Sequence, residues 1–191
     1  MKKLFFFFNI IFIYLISESI SFADLKKNLI NQLTATQTLS FNFVQQISDN
    51  EEKGICLIKY PLLMRCDYQD TKGKVIISNG KSVAVIKKKY KKIYFYPIRT
   101  TPLFVLLKKE KIINLIRKTE PVMINANFIE FTFNDKNINE LKVIFNKNTL
   151  EIKGWRTKDM YDNDVIFTIN NLKTNNKLSD NLFKIPKEKD L

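Results

Sequence analysis

Two hydrophobic periods alternate along this chain, and the places where they switch divide it into elements. Leu25, Leu29 and Leu33 recur every four residues, which predicts a short helix with one apolar stripe, capped by Asp24. From Leu39 the period shortens to two. Leu39, Phe41 and Phe43 alternate with Ser40 and Asn42, the pattern of a half-buried strand running to about residue 47. Residues 49–53 read as a charged turn, and Gly54 opens the next strand. Ile55 to Tyr60 and Leu62 to Tyr68 flank Pro61, which cannot sit inside a central ladder and so marks a tight turn. Leu39, Phe41 and Phe43, with Cys56, Ile58 and Tyr60, fall on a single face. Asn79-Gly80, between Lys74–Ser78 and Ser82–Lys87, is the strongest hairpin signal in the chain. Residues 92–98 add another alternating strand.

Thr101-Pro102 then predicts a helix start, a capping hydroxyl followed by proline at the first helical position. Leu103, Phe104, Val105, Leu106 and Leu107 follow without a polar residue, more apolar surface than one core stripe requires. Lys108 and Lys109 suit the C-terminal end of that helix, and residues 111–118 predict a second helical piece. After Pro121 the period of two returns, predicting strands near 121–127, 128–134, 139–147, 149–158 and 163–172. The expectation is a mainly β (α+β) chain of about eleven strands and three short helices in one antiparallel meander. Leu178, Leu182, Phe183 and Ile185 give the tail enough apolar surface to dock on the body.

The N-terminus carries a different pattern. Lys2 and Lys3 precede an apolar run from Leu4 to Ile16, and Ser21-Phe22-Ala23 fits a small-x-small cleavage site. The run is too short to span a bilayer comfortably, and Glu18 interrupts its extension. Residues 1–23 therefore read as a signal peptide cleaved after Ala23, and residues 24–191 as one periplasmic domain. The first residue after the cut is Asp24 rather than Cys, so no lipid on the mature chain is expected.

Composition narrows the chemistry. The chain has no histidine, which removes the commonest general base and metal ligand. Ser78-Asn79-Gly80-Lys81 and Ser179-Asp180-Asn181 match two of three serine β-lactamase motifs, but the third is missing and the first lies on a hairpin turn. Asp159, Asp162 and Asp164 lack the spacing of a calcium loop and read as a solvated turn. The chain is not read as an enzyme, and neither cofactor nor metal is expected. A formal net charge of +13 accompanies abundant Lys, Asn and Ile. Composition bias accounts for it, with attraction to anionic headgroups or acidic partners as the other reading. Lys87 to Lys92, followed by Tyr94 and Tyr96, mixes basic and aromatic residues as nucleic-acid surfaces do. In an exported protein it reads as a solvated turn, with a membrane-facing patch second and no nucleic-acid partner expected. Cys56 and Cys66 stand equidistant from Pro61, so a hairpin there opposes them. Either they form a disulfide or they are two small apolar residues lining a cavity.

In order, Phe43-Val44-Gln45, Gly54, Pro61, Arg65 and Tyr68, Asn79-Gly80-Lys81, Thr101-Pro102-Leu103 with Leu106-Leu107, Asn171-Leu172, Leu178-Ser179 and Phe183 follow one family pattern. The mature chain resembles the periplasmic outer-membrane lipoprotein carrier family (LolA) over essentially its whole length. That resemblance implies an unclosed antiparallel β half-barrel whose concave face is covered by a lid of short helices. It implies a chaperone for outer-membrane-destined lipoproteins, taking them from an inner-membrane lipoprotein-releasing ABC transporter to an outer-membrane acceptor where one exists, as a monomer without cofactor. Leu39, Phe41, Phe43, Cys56, Ile58, Tyr60, Met64, Tyr68, Leu103, Leu106 and Leu107 are then the expected acyl-chain contacts. The periodicity itself fits a solid core as well as a hollow one.

One position departs from the pattern. The family usually has arginine before the proline, where it is thought to hold the empty lid through backbone carbonyls; here that latch position is Tyr60. A phenol offers one donor against five in a guanidinium, so the lid is expected to be held more weakly or differently. Arg65 occupies another motif position and is not read as a substitute. A lipid- or lipoprotein-sensing regulatory protein built on the same half-barrel is the alternative function.

Overall fold

The computed structural model describes residues 22–123, 125–135, 138–159 and 161–191, so most of the expected signal peptide lies outside the described residues. Eleven strands form one open antiparallel sheet. In chain order they are β1 (Thr38–Ile47), β2 (Asn50–Lys59), β3 (Leu63–Tyr68), β4 (Lys74–Asn79), β5 (Ser82–Lys87) and β6 (Lys92–Pro97), then β7 (Val122–Met123), β8 (Phe128–Asp135), β9 (Ile138–Asn146), β10 (Ile152–Lys158) and β11 (Asp164–Thr174). Three helices, α1 (Phe22–Ala35), α2 (Leu103–Leu107) and α3 (Lys109–Lys118), complete the body.

The single meander expected from the sequence is in fact two. The spatial order is β6-β5-β4-β3-β2-β1-β11-β10-β9-β8-β7, so β1 pairs with β11 and joins a six-strand meander to a five-strand one. Strands β6 and β7 thus lie at opposite edges, and the chain between them must cross the sheet. That crossing carries α2 and α3, which is why a helical cover lies over one face.

Several boundaries move for local reasons. Residues 50–53 belong to β2 rather than to a turn, because Ser48 takes the left-handed conformation (φ 51°) and closes a two-residue hairpin in which Ile47 pairs with Asn50. The strand expected over 121–127 shrinks to two residues, since the Asn125 side chain accepts from the backbone N–H groups of Asn127 and Phe128 and bends the chain. Strand β10 starts late because Asn146 accepts from Asn148 and Thr149 in the same way. Helix α1 begins at Phe22, so Asp24 lies in its first turn and not at its cap, still favourably placed against the dipole. Thr101 does not cap α2: its hydroxyl donates to the Ile98 carbonyl 2.8 Å away.

The inward faces of both meanders share one core with the stripe Leu25, Leu29 and Leu33 of α1 and with Ile112, Ile113 and Ile116 of α3. A row of stacked rings crosses it. Trp155 lies 3.9 Å from Phe167, centroid to centroid and nearly parallel, and Phe43 stacks on Phe167 at 4.8 Å. Gly54 faces Phe43 across the strand pair, and a Cβ there would come within 2.6 Å of that ring. A smaller cluster lies on the outer face, where Val75, Ile77, Ala84, Ile86 and Ile93 pack under Ile185 and Leu191 of the tail. Phe183 is fully buried, so the tail docks as its apolar residues predict.

Candidate functional site

The site is the inward face of β1–β3 and the helices above it. Leu39, Phe41, Phe43, Cys56, Ile58, Tyr60 and Met64 are all buried on it, because a period of two keeps alternate residues of adjacent strands on one side. From above, Leu106 and Leu107 of α2 are buried against the same cluster, while Leu103 and Tyr68 are half-buried at its margin. The structure therefore gathers every predicted contact residue into one apolar interior. Among the described residues, the space beneath the cover between Leu33, Leu39, Tyr60, Ile112 and Leu172 is about 20 Å³. That is roughly one water. Any apolar cargo must displace the cover.

Cys56 and Cys66 are a register pair on β2 and β3, and they are joined as a disulfide. The bridge faces the core between Ile58 and Tyr68, fixing the two strands that flank the Pro61 turn.

Among the described residues, polar contacts fasten the cover at both ends: near the end of α3, Lys26 of α1 donates to the Arg117 carbonyl and pairs with Glu120 at 2.8 Å. The Leu62 N–H, in the turn after Pro61, donates to the Leu107 carbonyl at the end of α2 (2.9 Å). Lys109, the first residue of α3, reaches back to the C-terminal end of α1, where its ammonium donates to the carbonyls of Thr34 (3.1 Å) and Thr36 (2.6 Å). These carbonyls are the orphan acceptors of a helix end, where a cation is favoured. The same ammonium lies 5.3 Å from the centre of the Tyr60 ring. Burial pushes the Tyr60 phenol well above its ordinary range and lowers the Lys109 ammonium. Tyr60 thus keeps its phenol neutral and supplies a ring face for the cation. The pattern of Lys108-Lys109 marks a helix end in the sequence, yet its target on α1 is over seventy residues away and invisible there.

The remaining candidates have structural duties. Ser78, wholly buried, donates to the Leu62 carbonyl (2.6 Å) and braces the same turn. Ser179 accepts from the Asn181 N–H and caps the turn Asp180–Phe183. Asp159 accepts from the backbone of Tyr161 and Asn163 and from the Asn163 amide, which holds its carboxyl below the usual range. Arg65 points to the outer face, paired bidentately with Asp67 at 2.7 and 2.9 Å, and donates to the Leu182 carbonyl of the tail. It cannot reach the cover. Tyr68 donates to Gln45 (2.8 Å) and lies under Lys74, whose ammonium is 3.8 Å from its ring centre and pairs with Glu52. Sequence reasoning missed Trp155, Phe167 and the α3 isoleucines as parts of this interior. Among the described residues no group of His, Cys, Asp or Glu could hold a metal ion.

Several solved structures are similar to this chain, and the first of them shares its fold. An uncharacterised conserved protein from Thermus thermophilus is 9% identical with a TM-score of 0.53, over 87% of this chain and 96% of that one. A LolA superfamily protein from Nitrosomonas europaea is also 9% identical, with a TM-score of 0.45 over 87% and 99%. A putative outer membrane lipoprotein-sorting protein domain from Vibrio parahaemolyticus is 10% identical, with a TM-score of 0.46 over 85% and 94%. No curated protein matches the sequence. The model of one family, described as outer membrane lipoprotein carrier protein LolA, matches residues 34–186, the stretch that contains the whole sheet, α2, α3 and the latch residues. The chain belongs to the LolA family of outer membrane lipoprotein carrier proteins.

Proposed function

We propose that this protein is a periplasmic, non-enzymatic carrier that shields lipoprotein acyl chains between the inward face of β1–β3 and the α2–α3 cover. It would receive them from an inner-membrane ABC transporter and release them at the outer membrane. The observation that carries this reading is an apolar helix, α2, lying on an apolar sheet face. Leu106 and Leu107 make the same contacts that an acyl chain would make, so cover and cargo compete for one surface. At ~0.8 kcal/mol per CH₂, moving one long acyl chain from membrane to water costs on the order of ten kcal/mol. The inward face recovers much of that cost. The displaced cover then subtracts its own burial, which keeps net affinity low enough for hand-over. Membership of the family and the expected export signal support the compartment and the cargo.

Native mass spectrometry of the chain purified from the periplasm of a Gram-negative host tests this. A bound triacylated lipoprotein is expected, at an occupancy that falls when Leu39→Asp places charge on the sheet face. Purification free of any lipoprotein, under conditions where a bona fide carrier retains one, would sink the proposal.

A further inference from the structure

The net charge of this protein is not spread along it. Residues 71–119 hold fourteen Lys and Arg against Glu110 alone, while the rest of the chain balances eighteen basic against eighteen acidic residues. Composition bias would scatter the excess. Instead it lies on β4–β6 at one edge of the sheet and on the cover, which starts at that edge and crosses toward the other.

Among the described residues, the β4–β6 edge also carries the densest group of exposed aromatic side chains. Strand β6 has no strand partner on its outer side among the described residues. Tyr94, Phe95 and Tyr96 are consecutive and 46%, 59% and 47% exposed, so rings project from both faces of a single strand. Tyr90, in the turn before it, is exposed as well. Lysines 87–89, 91 and 92 cluster at the start of the strand, and Lys87 lies 5.6 Å from the Tyr94 ring. Past its far end, Arg99, Lys108 and Lys111 surround the ring of Phe104 on α2 at 4.9–5.8 Å. A six-residue strand spans about 20 Å. The edge is thus an aromatic bar with a cationic cluster at each end.

We propose that this edge docks the protein on the surface of an anionic phospholipid bilayer. Tyrosine and phenylalanine beside lysine is the composition that suits the headgroup layer, where rings bury their apolar bodies and ammonium groups meet phosphates. The cations are nearly all lysines, compact point charges suited to a diffuse anionic surface rather than to bidentate recognition of one carboxylate. Strand addition by an acidic protein is disfavoured, because the Ile93 N–H already donates to the Glu188 carboxylate of the tail (3.0 Å) and Pro97 ends the strand. The arrangement places α2 beside the membrane. This inference does not depend on the identity of the cargo.

Flotation with vesicles of phosphatidylcholine alone, and of phosphatidylcholine with phosphatidylglycerol in equal parts, tests it. The wild-type chain is expected to float with the anionic vesicles only, and to release in high salt. The triple variant Lys88→Glu, Lys89→Glu, Lys92→Glu should lose partitioning by about a hundredfold or more. A control with the same net charge, Lys147→Glu, Lys173→Glu, Lys177→Glu, should bind far better than that variant, and Phe95→Ser should weaken what survives at moderate salt. Thermal melts of each variant confirm folding. Equal loss in variant and control would make net charge the cause and overturn the docking site. If wild type ignores both vesicle types, the edge serves an acidic protein instead and the membrane proposal fails.

Discussion

Lys109 stands 5.3 Å above the ring of Tyr60 while its ammonium donates to the carbonyls of Thr34 and Thr36. One side chain therefore ties the start of α3 to the end of α1 and to the residue before the β2–β3 turn. The family's usual arginine at the Tyr60 position would bring a cation from the sheet up to the cover. Here the cation comes down from the cover and the sheet offers an aromatic face. Lys109→Met keeps the aliphatic stem and removes the donors. Hydrogen bonds from a charged group contribute on the order of 1.5–3 kcal/mol, and Lys109 is only half-buried, so about 1–2 kcal/mol is expected. The loss should fall on the cover. Amide exchange at residues 103–107 should quicken by about tenfold while the slow amides of β1 and β11 change little. Uniform acceleration across the sheet would show that Lys109 supports global stability and not the cover.

Tyr60→Phe separates the ring from its hydroxyl. Burial alone accounts for the raised phenol, with no hydrogen-bonding contribution, so Phe preserves the surface that Lys109 uses. Lipid release should change only modestly in this variant, whereas Tyr60→Ala should open the cover and leave a cavity costing about 3–5 kcal/mol. Complete loss of transfer in Tyr60→Phe would contradict this account.

Local pattern carried most of the strand and helix placements, because a period of two or four is written within a few residues. Leu39, Phe41 and Phe43 announce their shared face, and Asn79-Gly80 announces its hairpin. What periodicity does not contain is pairing across distance. The contact between β1 and β11 joins segments more than a hundred residues apart, and with it goes the two-meander layout that sends α2 and α3 over the sheet. Trp155 and Phe167 look like ordinary strand residues until that pairing stacks them beside Phe43. The latch was illegible for the same reason, and Thr101 misled because its hydroxyl turns back to donate to the Ile98 carbonyl and accepts from no N–H of α2. Filled and hollow interiors share one pattern, so only the packing could reveal a closed form.

Gly54 is required by its opposite number. A Cβ there would meet the Asp67 carbonyl at 2.3 Å and the Phe43 ring at 2.6 Å. Gly54→Ala must push both strand and ring, and a loss of about 1–3 kcal/mol in urea unfolding is expected. Phe43→Leu should relieve only the ring's share, since the Asp67 carbonyl is backbone. Additive losses in the double variant would show that the two sites are not coupled.

The Cys56–Cys66 bridge closes a loop with a sequence separation of 10. Loop-closure entropy for such a length corresponds to about 2–3 kcal/mol. Replacing both cysteines by alanine should lower unfolding free energy by that amount, and reduction of the wild type should do likewise. Because the bridge spans neighbouring strands below the latch, cover exchange should quicken in parallel. An unchanged denaturation midpoint after verified reduction would remove it from the stabilising contacts.

Alkaline pH tests how dry the interior is. Burial raises the phenols of both Tyr60 and Tyr68, and the carboxylates of Glu52 and Asp70 add to the effect at Tyr68. Each tyrosine holds its proton more tightly folded than unfolded. Their contribution to stability is therefore complete below the unfolded value near pH 10, and it declines as pH rises above it, by about 1.4 kcal/mol per pH unit for each group. Lys109 acts with the opposite sign, because its ammonium is lowered in the folded state and the unfolded chain binds the extra proton. Comparison of the wild type with a Tyr60→Phe, Tyr68→Phe variant cancels the lysine's contribution along with that of every other alkaline group. Urea unfolding at about pH 9 and about pH 11 should show the wild type losing roughly 2–3 kcal/mol more than the double variant. Parallel losses would mean that water reaches both phenols in the closed form, and that the cover does not seal the face it lies on.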